Sequence, residues 1–257
     1  MLKLERIDKY YNAGTVNEMQ LFDKFGIEVP KGQFLCIVGS NGSGKTSLLN
    51  IVCGSVPIDS GRIELNGVDI TNMKEHLRYR TIGRVFQDPA AGTCPDMTIL
   101  ENMAIADNKG RMYGLGWGTD KSRIDFYRSE LEQIGLGLEN KMDQLVGSLS
   151  GGQRQAMALL MSTMTPIDLL ILDEHTAALD PRTAQKTMDL TEKIVRETDV
   201  TTMMVTHNLR FAIEFGDRLL MLHEGKIILD AAGADKDALD VDDVLDTFNR
   251  ISIEYGN

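Results

Sequence analysis

Two short stretches of this chain set out residue types that could handle a chain of phosphates. The first, "GSNGSGKT", runs from Gly39 to Thr46 in the spacing G-x-x-x-x-G-K-[ST], after the apolar run "GQFLCIVG" and at the head of "KTSLLNIVCG". Gly39, Gly42 and Gly44, with Ser40, Asn41 and Ser43 between them, let successive backbone N–H groups turn inward. The helix expected to start behind them adds partial positive charge. Lys45 is placed to reach the β and γ phosphates and the Thr46 hydroxyl to ligate Mg²⁺, with Ser47 next in the same first turn. A lysine–phosphate pair at 4 Å is worth about 4 kcal/mol at an effective dielectric of 20, so a local site can outweigh distant acidic residues. The second stretch, "LLILDEHTAALD", ends an apolar strand on two carboxylates, where α/β sheets place their ligands. There Asp173 would hold Mg²⁺, directly or through water, and Glu174 would polarise the water that attacks the γ-phosphate.

A third stretch, "VGSLSGGQRQ", has a different character. Ser150 and Gln153 stand in capping-box spacing, so a helix should begin here. Its first two positions are Gly151 and Gly152, each weaker than Ala in a helix by about 1 kcal/mol. Something must require bare backbone at that helix start. Three single residues have ordinary alternatives when taken alone. Gln87 in "VFQDP" and His207 in "MMVTHN" each end a strand, and Tyr11 could simply cover a sheet edge.

The elements that would position these residues follow from hydrophobic periodicity. "MLKLERI" and "MQLFDKFGIEV" alternate like strands, "GRIELNGVDI" looks like a hairpin turning at Asn66-Gly67, and "IGRVFQD" is a short strand. From about Pro89 to Thr165 the chain reads as helices and loops. One of these is "DKSRIDFYRSELEQIG", with Ile124, Tyr127, Leu131 and Ile134 on one face. Strands return in "DLLILDE", "VTTMMVTH", "RLLMLHEG" and "KIILDAAG", alternating with helices such as "PRTAQKTMDLTEKIVRE". Strand–helix alternation on both sides of a helical block predicts a mostly parallel α/β core carrying a helical insertion. "KDALDVDDVLDTFNR" reads as a short acidic surface helix.

The bulk properties narrow the class. The 257 residues are 42% hydrophobic and 25% charged, as in an ordinary soluble protein. No apolar run is long enough for a membrane span, and "MLKLERIDKYY" lacks the features of a signal peptide, so the chain is expected in the cytosol. Cys36, Cys53 and Cys94 form no CxxC pair and are expected as reduced thiols. Net charge is −11, to which the segment from Asp230 onward contributes eight acidic and two basic residues. No basic run is visible, so nucleic acid is not an expected partner.

The order Tyr11, "GSNGSGKT", "VFQDP", "LSGGQ", "LLILDE", "AALD" and "VTH" resembles the nucleotide-binding subunit of ATP-binding-cassette (ABC) transporters, over nearly the whole chain. The resemblance implies one ABC ATPase domain. Its P-loop NTPase core (1–88 and 166–230) has a mostly parallel sheet and an antiparallel β subdomain. Residues 89–165 form the inserted helical subdomain, and 231–257 an acidic tail. It further implies ATP and Mg²⁺ as ligands and a head-to-tail homodimer, in which Leu149, Ser150, Gly151, Gly152 and Gln153 of one copy close over the γ-phosphate held by the other. Tyr11 would stack on adenine, with Tyr10 as a fallback. Gln87 would sense Mg²⁺ and the attacking water and relay to a membrane partner through the helical insertion. Asp180 would lie in the loop crossing the dimer interface, and His207 would contact the γ-phosphate and support Glu174. Many relatives have proline where this chain has His175, which is read as structural.

"GTVNE", "IGRVFQDPAAGTCPDMTILENMAIA", "LDEHTAALDP" and "HEGKIILD" look like a bacterial subgroup of uptake ATPases. These work with a permease of the branched-chain amino acid type and a substrate-binding lipoprotein, and some are linked to aromatic amino acids, especially tryptophan. The implied place is the cytoplasmic face of the membrane. An exporter subunit shares every motif, and so does a soluble ABC ATPase of the iron–sulfur assembly type. Ribosome-associated types usually carry two cassettes in one chain and DNA-repair types carry long coiled coils, and this sequence, with one cassette, resembles neither. A scaffold that binds ATP without turnover is disfavoured by the intact Lys45, Asp173, Glu174 and His207.

Overall fold

The computed structural model describes residues 1–110 and 118–255, with side chains up to residue 250. Strands β1 (Leu2–Tyr11), β2 (Met19–Val29) and β3 (Phe34–Gly39) lead into helix α1 (Lys45–Cys53). Next come β4 (Ser60–Leu65), β5 (Val68–Asp69), the short α2 (Glu75–Arg78) and β6 (Ile82–Val85). Helices α3 (Ile99–Asp107), α4 (Ile124–Ile134) and α5 (Gly151–Thr163) precede β7 (Leu169–Asp173) and α6 (Pro181–Thr198). The chain ends in β8 (Thr201–Val205), α7 (Leu209–Glu214), β9 (Arg218–His223), β10 (Lys226–Ala232), α8 (Ala234–Asp237) and α9 (Val241–Tyr255). These elements form two compact units, Met1–Arg78 with Asp199–Asn257, and Tyr79–Thr198.

In the first unit β3 lies between β8 and β9, parallel to both, with Cys36 opposite Met204 and Leu219. Every residue of β3 and β8 is buried. That is why these strands read as continuous apolar runs instead of alternating ones. β10 pairs antiparallel with β9. An antiparallel sheet in the order β2-β1-β4-β5 completes the unit. The hairpin between β4 and β5 turns on Asn66 at φ 49° and Gly67 at φ 82°. Both turn residues are left-handed, as the tight hairpin twist requires.

In the second unit β6 and β7 pair in parallel, Arg84 opposite Ile171. A separate apolar cluster forms from α3, α4 and α5, around Ile99, Met103, Tyr127, Leu131, Met157 and Leu160. Tyr127 and Leu131 are buried on the predicted face of α4, while Ile124 and Ile134 pack at its margin. The acidic C-terminal segment is broken at Ala238–Asp240 into α8 and the longer α9. Asp240 and Asp243 bond each other's N–H groups there, which caps the second helix. Val244 of α9 is fully buried, so this helix is anchored as well as solvated.

Candidate functional site

The cradle in the first unit is shaped by close backbone approaches. A Cβ on Gly39 would lie 2.2 Å from the Leu222 carbonyl oxygen and 2.7 Å from Ser43 Oγ. Gly44 takes φ 101° at the N-cap of α1 and offers no side-chain cap. The start of α1 thus carries no capping side chain, a condition that favours anion binding at a helix start. Lys45, 5% exposed, curls back so that Nζ donates to the carbonyls of Gly39 (2.8 Å) and Ser40 (2.9 Å). Ser43 Oγ is buried and makes no hydrogen bond. A buried hydroxyl left unsatisfied costs about 1–3 kcal/mol, so the loop holds a donor ready for a ligand oxygen. Thr46 is exposed and Ser47 half-buried in the same turn.

Of the two adjacent tyrosines, Tyr11 is tied to this turn, its Oη donating to Ser47 Oγ at 3.1 Å. Lys9 Nζ lies 5.4 Å from the centre of the Tyr11 ring, a cation–π contact. Tyr10 instead donates its backbone N–H to Asp59. His207 is exposed just beyond the end of β8, and Asn208 next to it caps α7 through Phe211 N.

The carboxylates sit in the second unit. β7 is buried throughout and delivers Asp173 as its last residue. Asp173 Oδ2 accepts from Arg84 Nη2 at 2.9 Å, the two side chains being 12% and 6% exposed. Arg84 also lies 4.7 Å over the Phe86 ring. Glu174, the next residue, has φ 48°. A non-glycine residue in that region costs of order 1–3 kcal/mol and persists only where its surroundings enforce it. Gln87 reaches it, Nε2 donating to Glu174 Oε2 at 3.3 Å. Helix α5 braces this segment, because buried Gln155 donates to the Phe86 carbonyl and Ser162 to that of Arg84. His175 is 2% exposed and bonded to Thr191 Oγ1 at 3.2 Å. That hydroxyl gives its proton to the Thr187 carbonyl at 2.7 Å, so His175 must donate through Nε2–H. Burial holds its pKa down, at about 4.

The helix start at "LSGGQ" forms the predicted reciprocal box. Gln153 N–H donates to Ser150 Oγ (3.3 Å), and Ser150 N–H to Gln153 Oε1 (3.2 Å). Leu149 is buried in the helical cluster. The two glycines differ in what they face. Gly151 is exposed, and a Cβ there would make ordinary contact with Leu179 at 3.7 Å. Gly152 is buried, and its Cβ would lie 2.2 Å from Thr183 Cγ2. The second glycine is thus demanded by the chain's own α6. Asp180 Oδ1 accepts from Thr183 N–H at 3.1 Å and caps that helix, and these bonds from Thr183 hold its carboxyl below the usual range.

Sequence reasoning missed Arg84 and Thr183. A charged residue inside the otherwise apolar "IGRVF" was the available signal for Arg84. Thr183 had none, because its contact spans 31 residues of sequence.

The sequence profile described as ABC transporter matches residues 22–177. A tyrosine transport ATP-binding protein of Clostridioides difficile is 43% identical over 248 residues, covering 96% of this chain and 98% of that one. A methionine import ATP-binding protein of Rhodopseudomonas palustris is 31% identical, the match covering 90% of this chain and 61% of that one. Among solved structures, the ADP conformation of an ABC-transporter cassette superposes with a TM-score of 0.79 at 27% identity, covering 97% of this chain and 98% of that one. A dimeric post-hydrolysis cassette bound to ADP and Pi gives 0.76 at 27% identity, over 90% and 98%. This chain belongs to the ABC transporter family and has the ABC ATPase fold, with a mostly parallel sheet, an antiparallel β subdomain and helices. It is the ATP-binding, ATP-hydrolysing subunit of such a transporter. Among the described residues, no helix is long and apolar enough to cross a membrane.

Proposed function

We propose that this chain is the ATPase of a bacterial importer for aromatic amino acids, with tyrosine the first candidate solute and tryptophan the second. The observation that carries the solute class is the 43% identity to a tyrosine transport ATP-binding protein along almost the full length of both chains. The ATPase works at the cytoplasmic face of the membrane with an integral permease, which a substrate-binding lipoprotein supplies. Two copies dimerise head to tail around ATP. Residues 89–165 form the helical insertion that carries the nucleotide state to the permease.

Within each copy, Lys45 and the N–H groups from Gly39 to Ser47 hold the β and γ phosphates, and Ser43 Oγ gains the partner it lacks. Tyr11 stacks on adenine. Glu174 accepts the proton of the attacking water, Gln87 orients Glu174 through their hydrogen bond, and His207 contacts the γ-phosphate. Leu149 to Gln153 and Asp180 act on the partner's nucleotide. The donors fit Mg²⁺: the Thr46 hydroxyl, the Asp173 carboxylate and the Gln87 amide are all hard oxygens. Among the described residues no group of three His, Cys, Asp or Glu could hold a metal alone. A cation that shares its coordination with substrate phosphates needs no such group. When bound, Mg²⁺ neutralises charge on the phosphate oxygens.

The test is uptake of labelled tyrosine, tryptophan and leucine by cells lacking the gene, complemented with the wild type or with Glu174→Gln. Aromatic uptake restored only by the wild type supports the proposal. Restored leucine uptake without aromatic uptake would refute the solute class, and loss of efflux without loss of uptake would refute import.

A further inference from the structure

We infer that Gly152 and Thr183 are a matched pair that locks the start of α5 to the start of α6, making Thr183 a positioning residue for the ATP-driven dimer. The inference rests on the head-to-tail dimer proposed above. Neither Gly151 nor Gly152 takes a left-handed backbone, so conformation does not explain the absent side chains. Gly151 has room for a methyl group, its nearest neighbour being Leu179 Cδ2 at 3.7 Å. Gly152 does not. Thr183 Cγ2 occupies the place its Cβ would need, at 2.2 Å, and the next atom, Thr183 Cβ, is at an ordinary 3.6 Å. A single methyl group of Thr183, on a β-branched side chain, therefore fills the space that a side chain at position 152 would need.

Thr183 is itself fixed. Its N–H donates to Asp180 Oδ1, and its carbonyl accepts from Thr187 Oγ1 at 3.0 Å. Leu179 is the nearest neighbour a Cβ on Gly151 would meet and Thr183 the one a Cβ on Gly152 would meet, so both glycines face the segment that contains Asp180. Ser150 at one helix start and Asp180 at the other are thus carried on one packed joint within a single chain. Residues 150–153 and Asp180 meet the partner's nucleotide as a block. A wedge between α5 and α6 would turn one group away from it while the other stays.

The test uses the full chain carrying Glu174→Gln, with ATP-dependent dimerisation followed by sedimentation and monomer stability by thermal unfolding. Adding Gly152→Ala should weaken dimerisation at least tenfold and lower the unfolding midpoint. Adding Thr183→Ala as well should restore dimerisation to within about threefold. In that background Gly152→Ala should raise the midpoint, by roughly 2–4 °C, because alanine is the better helix former once the clash is gone. Thr183→Val, which keeps both branches, should rescue nothing. If Thr183→Ala fails to restore dimerisation while the midpoint reverses sign, the partner's nucleotide excludes the methyl and the positioning role is overturned. If the midpoint does not reverse, the pair itself is overturned. Failure of Glu174→Gln alone to dimerise would overturn the head-to-tail dimer and with it the positioning role, while the midpoint still decides the pair.

Discussion

Replacing His175 with leucine should remove a defined share of the protein's acid sensitivity. The ring is buried beside Glu174 and bonded to Thr191, and burial pushes its pKa down to about 4. In the unfolded chain a histidine titrates near 6.5. Between those values the unfolded state takes up a proton that the folded state refuses. The contribution is therefore fully present above pH 6.5 and is lost as pH falls towards 4. Folded and unfolded titration curves with these midpoints give a loss of about 2 kcal/mol between pH 7 and pH 5, rising to about 3 kcal/mol near pH 4. Leucine leaves no orphan, since Thr191 Oγ1 still donates to the Thr187 carbonyl. Urea unfolding at pH 7 and pH 5 measures the change for each protein, and titrations common to both cancel. The wild type should lose about 2 kcal/mol more than His175→Leu, while both turn over ATP at similar rates at neutral pH. Equal losses would show that His175 is not held neutral. A collapse of turnover at unchanged stability would show that it takes part in the chemistry.

Three further outcomes follow from the same geometry. Arg84→Met strips Asp173 of its buried counterion and should cost about 3 kcal/mol, seen as a thermal midpoint lower by roughly 6–12 °C. MgATP should narrow that gap, and a drop under about 2 °C would mark the pair as solvent-screened. Tyr11→Ala should weaken ATP binding roughly tenfold to a hundredfold, the range for losing one base–aromatic stack, in a fluorescent-nucleotide titration. Tyr10→Ala should not, and the reverse ranking would move the adenine contact. Glu174→Gln should cut steady-state turnover by about two to four orders of magnitude with ATP affinity retained. A parallel loss of affinity would mean that it serves binding and not proton transfer.

The residues legible in the sequence were those whose roles are set by near neighbours. The Ser150–Gln153 box and the Asn66-Gly67 turn depend on contacts within a few residues, and turn chemistry and capping rules read them directly, whereas Gly39 also answers to the distant Leu222 carbonyl. The apolar runs of β3, β7 and β8 were legible because a strand buried on both faces has no polar side to show. What escaped depends on pairing across the fold. The Arg84–Asp173 ion pair forms only once β6 and β7 align with Arg84 opposite Ile171. The left-handed backbone of Glu174 is imposed by its surroundings on a residue type that does not favour it. For Gly152, the resemblance to ABC subunits supplied a reason outside the chain, and the structure adds one inside it, in Thr183.

The head-to-tail arrangement is most directly tested by cysteine cross-linking between two differently substituted chains. Cys94 is exposed and is first replaced by serine, whereas Cys36 and Cys53 are buried and can remain. In the Glu174→Gln background, one chain carries Asn41→Cys and the other Ser150→Cys. Mixed with MgATP and a short bifunctional thiol reagent, they should give a product of twice the chain mass, absent from either chain alone and absent without ATP. Cross-linking between like chains, or no ATP-dependent product from the mixture, would contradict the account.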